Sequence, residues 1–378
     1  MQQVQWPKLK IGKHEAKIPI IQGGMSMGIS LSRLAAAVAS EGGIGIIGTA
    51  GIGMFEPDFM KNFQEANRRA LKKEIRKARQ MSAGIIGVNV LVALSDFSDL
   101  VLTAIDEGID LVFCGAGLPL KNPGLFPKKR LKEVVSKVVP IVSSGRAVRI
   151  ICYLWQKNYN QIPDAVVVEG PMAGGHLGFK RDQIDNPDYA LEKIVPEVIN
   201  ELKPFEQQMG KEVTVIAAGG IYDGEDIAKY LKLGAQGVQM ATRFVATHEC
   251  DAYAGFKKAY LDCKREDLTI IDSPVGMPGR AISNEFLSEV INGKKKPFNC
   301  PWKCLKTCDF RKSPYCITQA LVAAKKGLFN KGFAFAGANA YRVKKICSVK
   351  ELIESLVEEY RHTVPKYSDT PALTPGSV

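Results

Sequence analysis

The sequence predicts an α/β protein built on a (β/α)8 TIM barrel, and two observations support this. Short apolar segments rich in β-branched residues alternate with amphipathic helical segments between residues 18 and 245. Near-continuous apolar strands separated by helices are typical of a parallel sheet buried on both faces, and eight repeats favour closure into a barrel. The predicted strands are 18–24, 43–49, 85–92, 111–117, 138–144, 165–171, 213–220 and 237–244, and the predicted helices include 31–42, 97–108, 144–158 and 223–234.

The alternation of strands and helices lapses after residue 245, which sets the predicted domain organisation. Residues 1–245 are expected to form the barrel, and 246–346 a smaller C-terminal cap region over its mouth that carries a cysteine cluster. Residues 347–378 are expected to form a helix that packs back on the barrel, followed by a tail. Within the cap region, the small residues of GFAFAGANAYRV (332–343) suit a close approach to a cofactor.

Composition and charge exclude several classes of function. No apolar run approaches the ~20 residues of a membrane span, and the first residues lack a signal-peptide pattern, so a cytoplasmic protein without a membrane segment is expected. The net charge of +12 is concentrated in a helical segment, 61–80, and in a cluster at 293–297. No nucleic-acid-binding module is recognised, so nucleic acid is not expected as a partner. The basic helix is either a solvated face or a docking surface for an acidic carrier protein.

The most distinctive segment is EGPMAGGHLGF (169–179), which follows the sixth predicted strand. In barrels of this kind the catalytic groups lie in the loops after the strands. His176 is the predicted catalytic base, because an imidazole exchanges a proton near neutral pH. Gly174 and Gly175 have no Cβ and allow the backbone to approach a flat cofactor. The alternative is an ordinary histidine in a glycine-rich loop.

The loops after the seventh and eighth strands suggest a phosphate site. Gly219, Gly220, Ala241 and Thr242 offer backbone N–H donors and one hydroxyl at the position where barrels commonly hold a phosphate. A tight turn is the alternative for the glycine pair. Neither a G-x-G-x-x-G after the first strand nor a P-loop is present, which argues against a Rossmann dinucleotide site and against an NTPase.

Four of the nine cysteines fall close together in the cap region. Cys300, Cys304, Cys308 and Cys316 are separated by three, three and seven residues. Thiolates are soft ligands that select zinc or iron–sulfur, although this spacing matches neither a ferredoxin run nor a zinc ribbon. From spacing alone, an iron–sulfur cluster, zinc, and structural or redox cysteines all remain open.

These segments together resemble the nitronate monooxygenase (2-nitropropane dioxygenase) family of FMN-dependent TIM barrels, which includes flavin-dependent enoyl-acyl-carrier-protein reductases. The resemblance rests on PIIQGGM, GVNVL, GAGLP, EGPMAGGHLG, VIAAGGIYDGE and GVQMATRF. It implies FMN as cofactor, with His176 as base. The implied cofactor contacts are Gly24 and Met25 to the flavin ring, Asn89 bonded to it, Gly220, Ala241 and Thr242 at the phosphate, and Gly23, Glu169 and Gln239 from the same segments. The family often has glycine at 241, and alanine still offers the N–H.

With LKIGKH, SPVGMPGRAI, the four cysteines and GANAYRV, the chain is similar to a bacterial subgroup that carries a 4Fe–4S cluster beside FMN. That subgroup includes a decanoyl-acyl-carrier-protein dehydrogenase/isomerase of unsaturated fatty acid synthesis, and it favours iron–sulfur over zinc. The implied function is an FMN-dependent oxidoreductase acting on an acyl thioester, free or bound to acyl carrier protein. Nitronate monooxygenase and NAD(P)H-dependent enoyl reductase are the alternatives, a redox sensor is a less favoured one, and a homodimer is possible.

Overall fold

A barrel of parallel strands forms the centre of the molecule, and a short antiparallel hairpin, β1 (Leu9–Ile11) and β2 (His14–Ala16), precedes it. The computed structural model describes residues 6–122, 136–300 and 302–368. The barrel strands are β3 (Ile20–Gln22), β4 (Gly45–Gly48), β5 (Ile86–Leu91), β6 (Leu111–Gly115), β7 (Lys137–Val142), β8 (Ala165–Glu169), β10 (Thr214–Ala218) and β11 (Gly237–Met240), while β9 (Gly175–His176) is a two-residue strand in the loop after β8.

Hydrogen bonds connect the eight barrel strands in the order β3, β11, β10, β8, β7, β6, β5, β4. The two edge strands also meet, because Ile44 N donates to Ile20 O at 3.0 Å and Gln22 N donates to Ile44 O at 2.9 Å. The predicted eight-stranded parallel barrel is therefore confirmed. The interior is filled by side chains such as Ile21, Phe113 and Val167, which are fully buried together with side chains of the β1–β2 hairpin. The hairpin thus closes the amino-terminal end, and only the carboxyl end of the barrel is open for a site.

Helices alternate with the strands as the amphipathic pattern predicts. They are α1 (Ser32–Ser40), α2 (Phe63–Met81), α3 (Phe97–Asp106), α4 (Gly145–Tyr159), α5 (Leu191–Met209), α6 (Gly224–Lys232) and the short α7 (Thr242–Val245). The prediction of a strand over 237–244 was wrong at its end, because β11 stops at Met240. Phe244 and Val245 are buried in α7, and a short apolar run does not distinguish a strand end from a buried helical turn.

The chain after the barrel contributes α8 (Ala254–Asp262), β12 (Leu268–Asp272), β13 (Pro278–Ile282), α9 (Glu285–Ile291), α10 (Ile317–Lys325) and α11 (Val349–Ser368). The strands β12, β13 and β9 form a three-stranded antiparallel sheet, in which Gly279 pairs with His176. This sheet joins the later part of the chain to the loop after β8. The helix α11 packs against α6, and Gly224 N donates to the Glu359 carboxylate at 2.9 Å. The division of the chain after residues 245 and 346 into a barrel, a cap region and a C-terminal helix with a tail stays a prediction. Across the described ranges, no helix combines the length and apolarity needed to cross a bilayer.

Candidate active site

A cavity of about 550 Å³ lies at the carboxyl ends of the barrel strands. Every residue that the sequence assigns to the cofactor or to proton transfer lines it: Gly23, Gly24, Met25, Asn89, Glu169, Gly174, Gly175, His176, Gly219, Gly220, Gln239, Ala241 and Thr242. Thr49 and Ser144, the last residues of the predicted strands 43–49 and 138–144, do not line this cavity. Thr49 is fully buried and donates a hydrogen bond to Asn89 O at 2.8 Å, and Ser144 caps α4 by accepting from Ala147 N. These two side chains hold the fold around the cavity.

Part of the cavity wall is bare backbone, because glycines occupy positions where side chains have no room. A Cβ on Gly24 would lie 2.4 Å from the Asn89 Cβ, and a Cβ on Gly174 would lie 2.5 Å from Gly337 N. Gly219 and Gly220 have φ of +94° and +88°, a left-handed conformation that favours glycine. A wall built of backbone at these glycines lets a planar ring approach closely, and backbone N–H groups at Gly219 and Gly220 suit a phosphate. The residues present therefore fit FMN.

His176 is held by contacts on two sides. Its Nε2 lies 2.8 Å from the Ser273 hydroxyl, and its ring meets the Phe335 ring edge to face, with centroids 5.0 Å apart. Burial lowers the pKa of His176 to about 4, because a buried site disfavours the charged imidazolium. The imidazole is neutral around pH 7 and is able to accept a proton.

Glu169 ends β8 and lines the same cavity. Burial raises the pKa of its carboxyl to about 7, the opposite direction from that of His176. Pairs of titratable groups whose environments move their pKa values apart are typical of sites that carry out acid and base chemistry. The sequence placed Glu169 with the cofactor contacts but gave no sign of this shift.

A large share of the cavity wall is apolar. This apolar lining consists of aromatic and aliphatic side chains from the loop before α2, from α2, α8 and α10, and from the cysteine-containing segment: Phe59, Phe63, Phe256, Leu305, Ile317 and Leu321. Polar side chains lie among them, for example Asn67, which donates to the buried Asp96 carboxylate at 2.8 Å. Sequence reasoning missed the apolar lining, because such residues at helical spacing look the same as ordinary core positions.

The four clustered cysteines line a second, small cavity of about 20 Å³, together with Phe298 and Phe310. Cys304 lines both cavities, and its sulfur lies 3.5 Å from the Thr318 hydroxyl. Burial raises the pKa of the Cys316 thiol to about 11 and also raises the pKa of Cys304 and Cys308. Within residues 6–122, 136–300 and 302–368, no group of three or more His, Cys, Asp or Glu side chains is arranged to hold a metal ion. The structure thus brings the four thiols to one cavity without forming an ion site.

The fold and this site define an enzyme of the barrel class, with a backbone-lined cofactor seat and a neutral histidine at the open end. The chain belongs to the nitronate monooxygenase family, whose sequence model matches residues 7–359. The match spans the barrel, the region after it and most of α11. The protein is therefore an oxidoreductase.

Three proteins illustrate what this chain is similar to. A dehydrogenase of (3aS,4S,5R,7aS)-5-hydroxy-7a-methyl-1-oxo-octahydro-1H-indene-4-carboxyl-CoA from Mycobacterium tuberculosis is 27% identical over 73% of this chain and 66% of its own length. A probable nitronate monooxygenase from Staphylococcus saprophyticus is 27% identical over 74% of this chain and 79% of its own. The structure of FabK from Thermotoga maritima superimposes with a TM-score of 0.71 at 29% identity, covering 93% of this chain and 96% of that one.

Proposed function

We propose that this protein is an FMN-dependent oxidoreductase that dehydrogenates or isomerises acyl thioesters, as needed in the synthesis of unsaturated fatty acids. The observation that carries the proposal is the apolar lining of the cavity. An acyl chain gains ~25 cal/mol for each Å² of apolar surface removed from water, whereas a small nitronate offers little such surface. The M. tuberculosis relative, named as the dehydrogenase of an acyl-CoA, supports the same substrate class.

Two other functions remain candidates, each supported by a relative. Nitronate oxidation is supported by the family and by the S. saprophyticus relative. NAD(P)H-dependent enoyl reduction is supported by the similarity to FabK. All three need a proton acceptor or donor beside an electron-withdrawing group, so His176 alone does not choose among them.

In the proposed reaction each part of the site has a separate task. The glycine-lined wall near Gly24 and Gly220 binds the cofactor, and the apolar lining holds the acyl chain out of water. His176, neutral at physiological pH, accepts the proton from the carbon next to the thioester carbonyl. When bound, FMN supplies the two-electron chemistry that amino-acid side chains lack.

We further propose that the four clustered cysteines hold a 4Fe–4S cluster, with zinc as the alternative. In a 4Fe–4S cluster each cysteine binds a different iron, so four sulfurs surround a larger volume than a single ion needs. A zinc ion requires all four sulfurs at ~2.3 Å from one point. The four cysteines line one cavity, as either group requires, and the resemblance to the iron–sulfur subgroup favours the cluster over zinc. No step of the reaction is assigned to it.

The proposed carrier-protein partner receives less support from α2 than its sequence suggests. Arg68 pairs with Glu65, Arg69 with Asp58, and Arg76 with Glu107. These ion pairs already neutralise part of the basic face, which favours the solvated-helix interpretation. The two interpretations of α2 are distinguished by comparing a coenzyme A thioester with a carrier-protein thioester of the same acyl chain. If α2 is a docking surface, turnover of the carrier-protein thioester depends on salt, whereas turnover of the coenzyme A thioester does not.

The proposed function is tested by anaerobic mixing of the purified protein with decanoyl thioester, nitronate and NADH in turn, while flavin absorbance is recorded. We expect bleaching by the thioester, and a loss of ~10²–10⁴-fold in its rate for His176→Ala. His362→Ala, an exposed histidine on α11, is the matched control and keeps the wild-type rate. Bleaching by nitronate without any response to thioesters makes the protein a nitronate monooxygenase. Bleaching by NADH alone makes it an enoyl reductase.

A further inference from the structure

Ser273 stands at the tip of the hairpin formed by β12 and β13. The five-residue connection from Ser273 to Met277 is closed by two backbone hydrogen bonds, from Ser273 N to Met277 O at 3.1 Å and from Gly276 N to Ser273 O at 2.9 Å. Gly276 has φ of +81°, which suits the turn. Ser273 is 7% exposed. The hydroxyl is therefore held on a defined turn.

The hairpin is joined to the strand that carries the histidine. Gly279 pairs with His176 in the three-stranded sheet, and Leu177 N donates to Pro278 O at 2.9 Å. The backbone bonds on either side of the base thus fix its position relative to the hairpin tip. The 2.8 Å contact between Ser273 Oγ and His176 Nε2 follows from this register.

The direction of that hydrogen bond decides which ring nitrogen is free. A neutral imidazole carries one N–H, and its other nitrogen holds a lone pair. Nε2 is occupied by Ser273, and among the described residues none forms a hydrogen bond with Nδ1 of this cavity-lining histidine, so Nδ1 is the ring nitrogen left for a substrate. Nδ1 accepts a proton only in the tautomer with hydrogen on Nε2. The serine hydroxyl has two acceptor lone pairs, and Val275 N uses one at 3.4 Å.

We propose that Ser273 is the positioning residue of the base, accepting a hydrogen bond from His176 Nε2–H and so keeping the lone pair of Nδ1 toward the cavity. The inference rests on the proposed role of His176. The same hydrogen bond persists when Nδ1 takes up the substrate proton, because both ring nitrogens of an imidazolium are donors. Ser273 holds one tautomer before proton transfer and stabilises the cation after it.

The hairpin tip also touches the substrate region. Val275 and Met277 line the cavity on the same connection as Ser273. The edge-to-face contact with Phe335 restricts the imidazole from another side. Other titratable groups that line this cavity are Glu169, Asp96, Tyr260 and Cys304, and Arg280 lies opposite Gly175 with its guanidinium donating to Pro171 O. Ser273 contacts the ring of the base directly.

The first test is spectroscopic and needs no substrate. The chain has four histidines, so ¹⁵N-histidine labelling gives four imidazole signals, and His176→Ala identifies the signal of the base. We expect neutral wild-type His176 to carry its proton on Nε2. Ser273→Ala is expected to move part of the population to the Nδ1–H form. A wild-type signal with the proton on Nδ1 would overturn the proposal, whatever the variants do.

The second test is kinetic. Ser273→Ala is expected to keep FMN and to leave KM for the thioester near the wild-type value, while kcat falls ~10–100-fold because the base is misoriented. Without the acceptor the imidazolium is less stable, so the acidic limb of the pH–rate profile moves to lower pH. Ser273→Thr keeps the hydroxyl and should restore rate and profile. Ser283→Ala, an exposed serine just after β13, is the matched control.

The outcomes separate this inference from the proposed function. If His176→Ala leaves flavin reduction unchanged, the proposed function fails. If His176→Ala abolishes it but Ser273→Ala matches wild type in rate, pH profile and imidazole signal, only the positioning role fails.

Discussion

Glu169 and His176 line the same cavity, yet burial raises the pKa of the carboxyl to about 7 and lowers the pKa of the imidazole to about 4. Both shifts have one cause, because a poorly solvated wall disfavours whichever form is charged. Around pH 7 the imidazole is therefore neutral, and the carboxyl holds its proton at pH values where a solvated glutamate is already ionised.

The glutamate shift predicts a pH-dependent stability. A carboxyl with a folded pKa near 7 and an unfolded pKa of 4.5 destabilises the folded state progressively as pH rises between these values. Glu169→Gln removes the ionisation. We expect its free energy of unfolding to differ little from wild type at pH 4.5 and to exceed it by on the order of 3 kcal/mol at pH 8, at ~1.4 kcal/mol per pKa unit. Denaturant titrations at both pH values measure this. Exposed Glu212→Gln is the control, and an equal gain at both pH values would contradict the shift.

Gly23 and Gly24, two adjacent glycines after β3, provide a variant and its matched control for testing the FMN-binding wall. A Cβ on Gly24 would lie 2.4 Å from the Asn89 Cβ, while a Cβ on Gly23 would come no nearer than 3.3 Å, to the Gln239 side chain. We expect Gly24→Ala to lower the FMN content of the purified protein and its melting temperature, and Gly23→Ala to change both little. The ratio of flavin to protein absorbance and a thermal melt provide the readout. Equal FMN loss in both variants would mean that crowding against Asn89 is not the cause.

The apolar lining predicts a selectivity for chain length. Leu321 on α10 lines the cavity, whereas Gln319 on the same helix is exposed. Leu321→Trp fills part of the cavity and is expected to raise KM at least ~10-fold for a decanoyl thioester, and much less for a butanoyl thioester. Gln319→Trp adds the same ring outside the cavity and should leave both values unchanged. Equal losses on both chain lengths in Leu321→Trp would place the acyl chain elsewhere.

Iron analysis tests the proposal for the cysteines. Protein purified without oxygen is expected to contain about four iron and four sulfide per chain, as a 4Fe–4S cluster bound by four cysteines requires. Cys304→Ser should lose the iron and lower the melting temperature, because a metal group held by four thiolates contributes to folding. Cys347→Ser, at a cysteine outside the cluster, should keep both. One zinc per chain, or no metal at all, would refute the iron–sulfur cluster.

The barrel and the residues that line the large cavity at its carboxyl end could be predicted from the sequence, because the strand pattern is strong. Strands such as 165–171 are apolar on both faces and end in glycine or polar residues, so their pattern is strong and local. The helix α5 is not among the helices named from the sequence pattern, and it contains Pro196 and Pro204, which lack the N–H that a helix interior uses. Burial of Ile194, Val198 and other residues on one face compensates for the lost bonds.

Ser273 was missed because its signal is not local. The segment SPVGMPGRAI is distinctive, but its local sequence does not predict that it contacts His176. Only the register between β13 and β9, with Gly279 opposite His176, brings the two together. The apolar lining around Phe63 and Leu321 was missed for a different reason, since sequence does not tell a side chain facing a cavity from one facing the core.

The pairing of β13 with β9 has a consequence for the order in which the molecule is completed during synthesis. His176 and Ser273 are separated by 97 residues, and the last barrel strand ends at Met240. A nascent chain that has exposed all eight barrel strands still lacks the hairpin that holds the imidazole. The hydrogen bond that orients the imidazole therefore forms only after chain beyond the last barrel strand has been added and has paired with β9, so the oriented base is completed after the barrel strands are available.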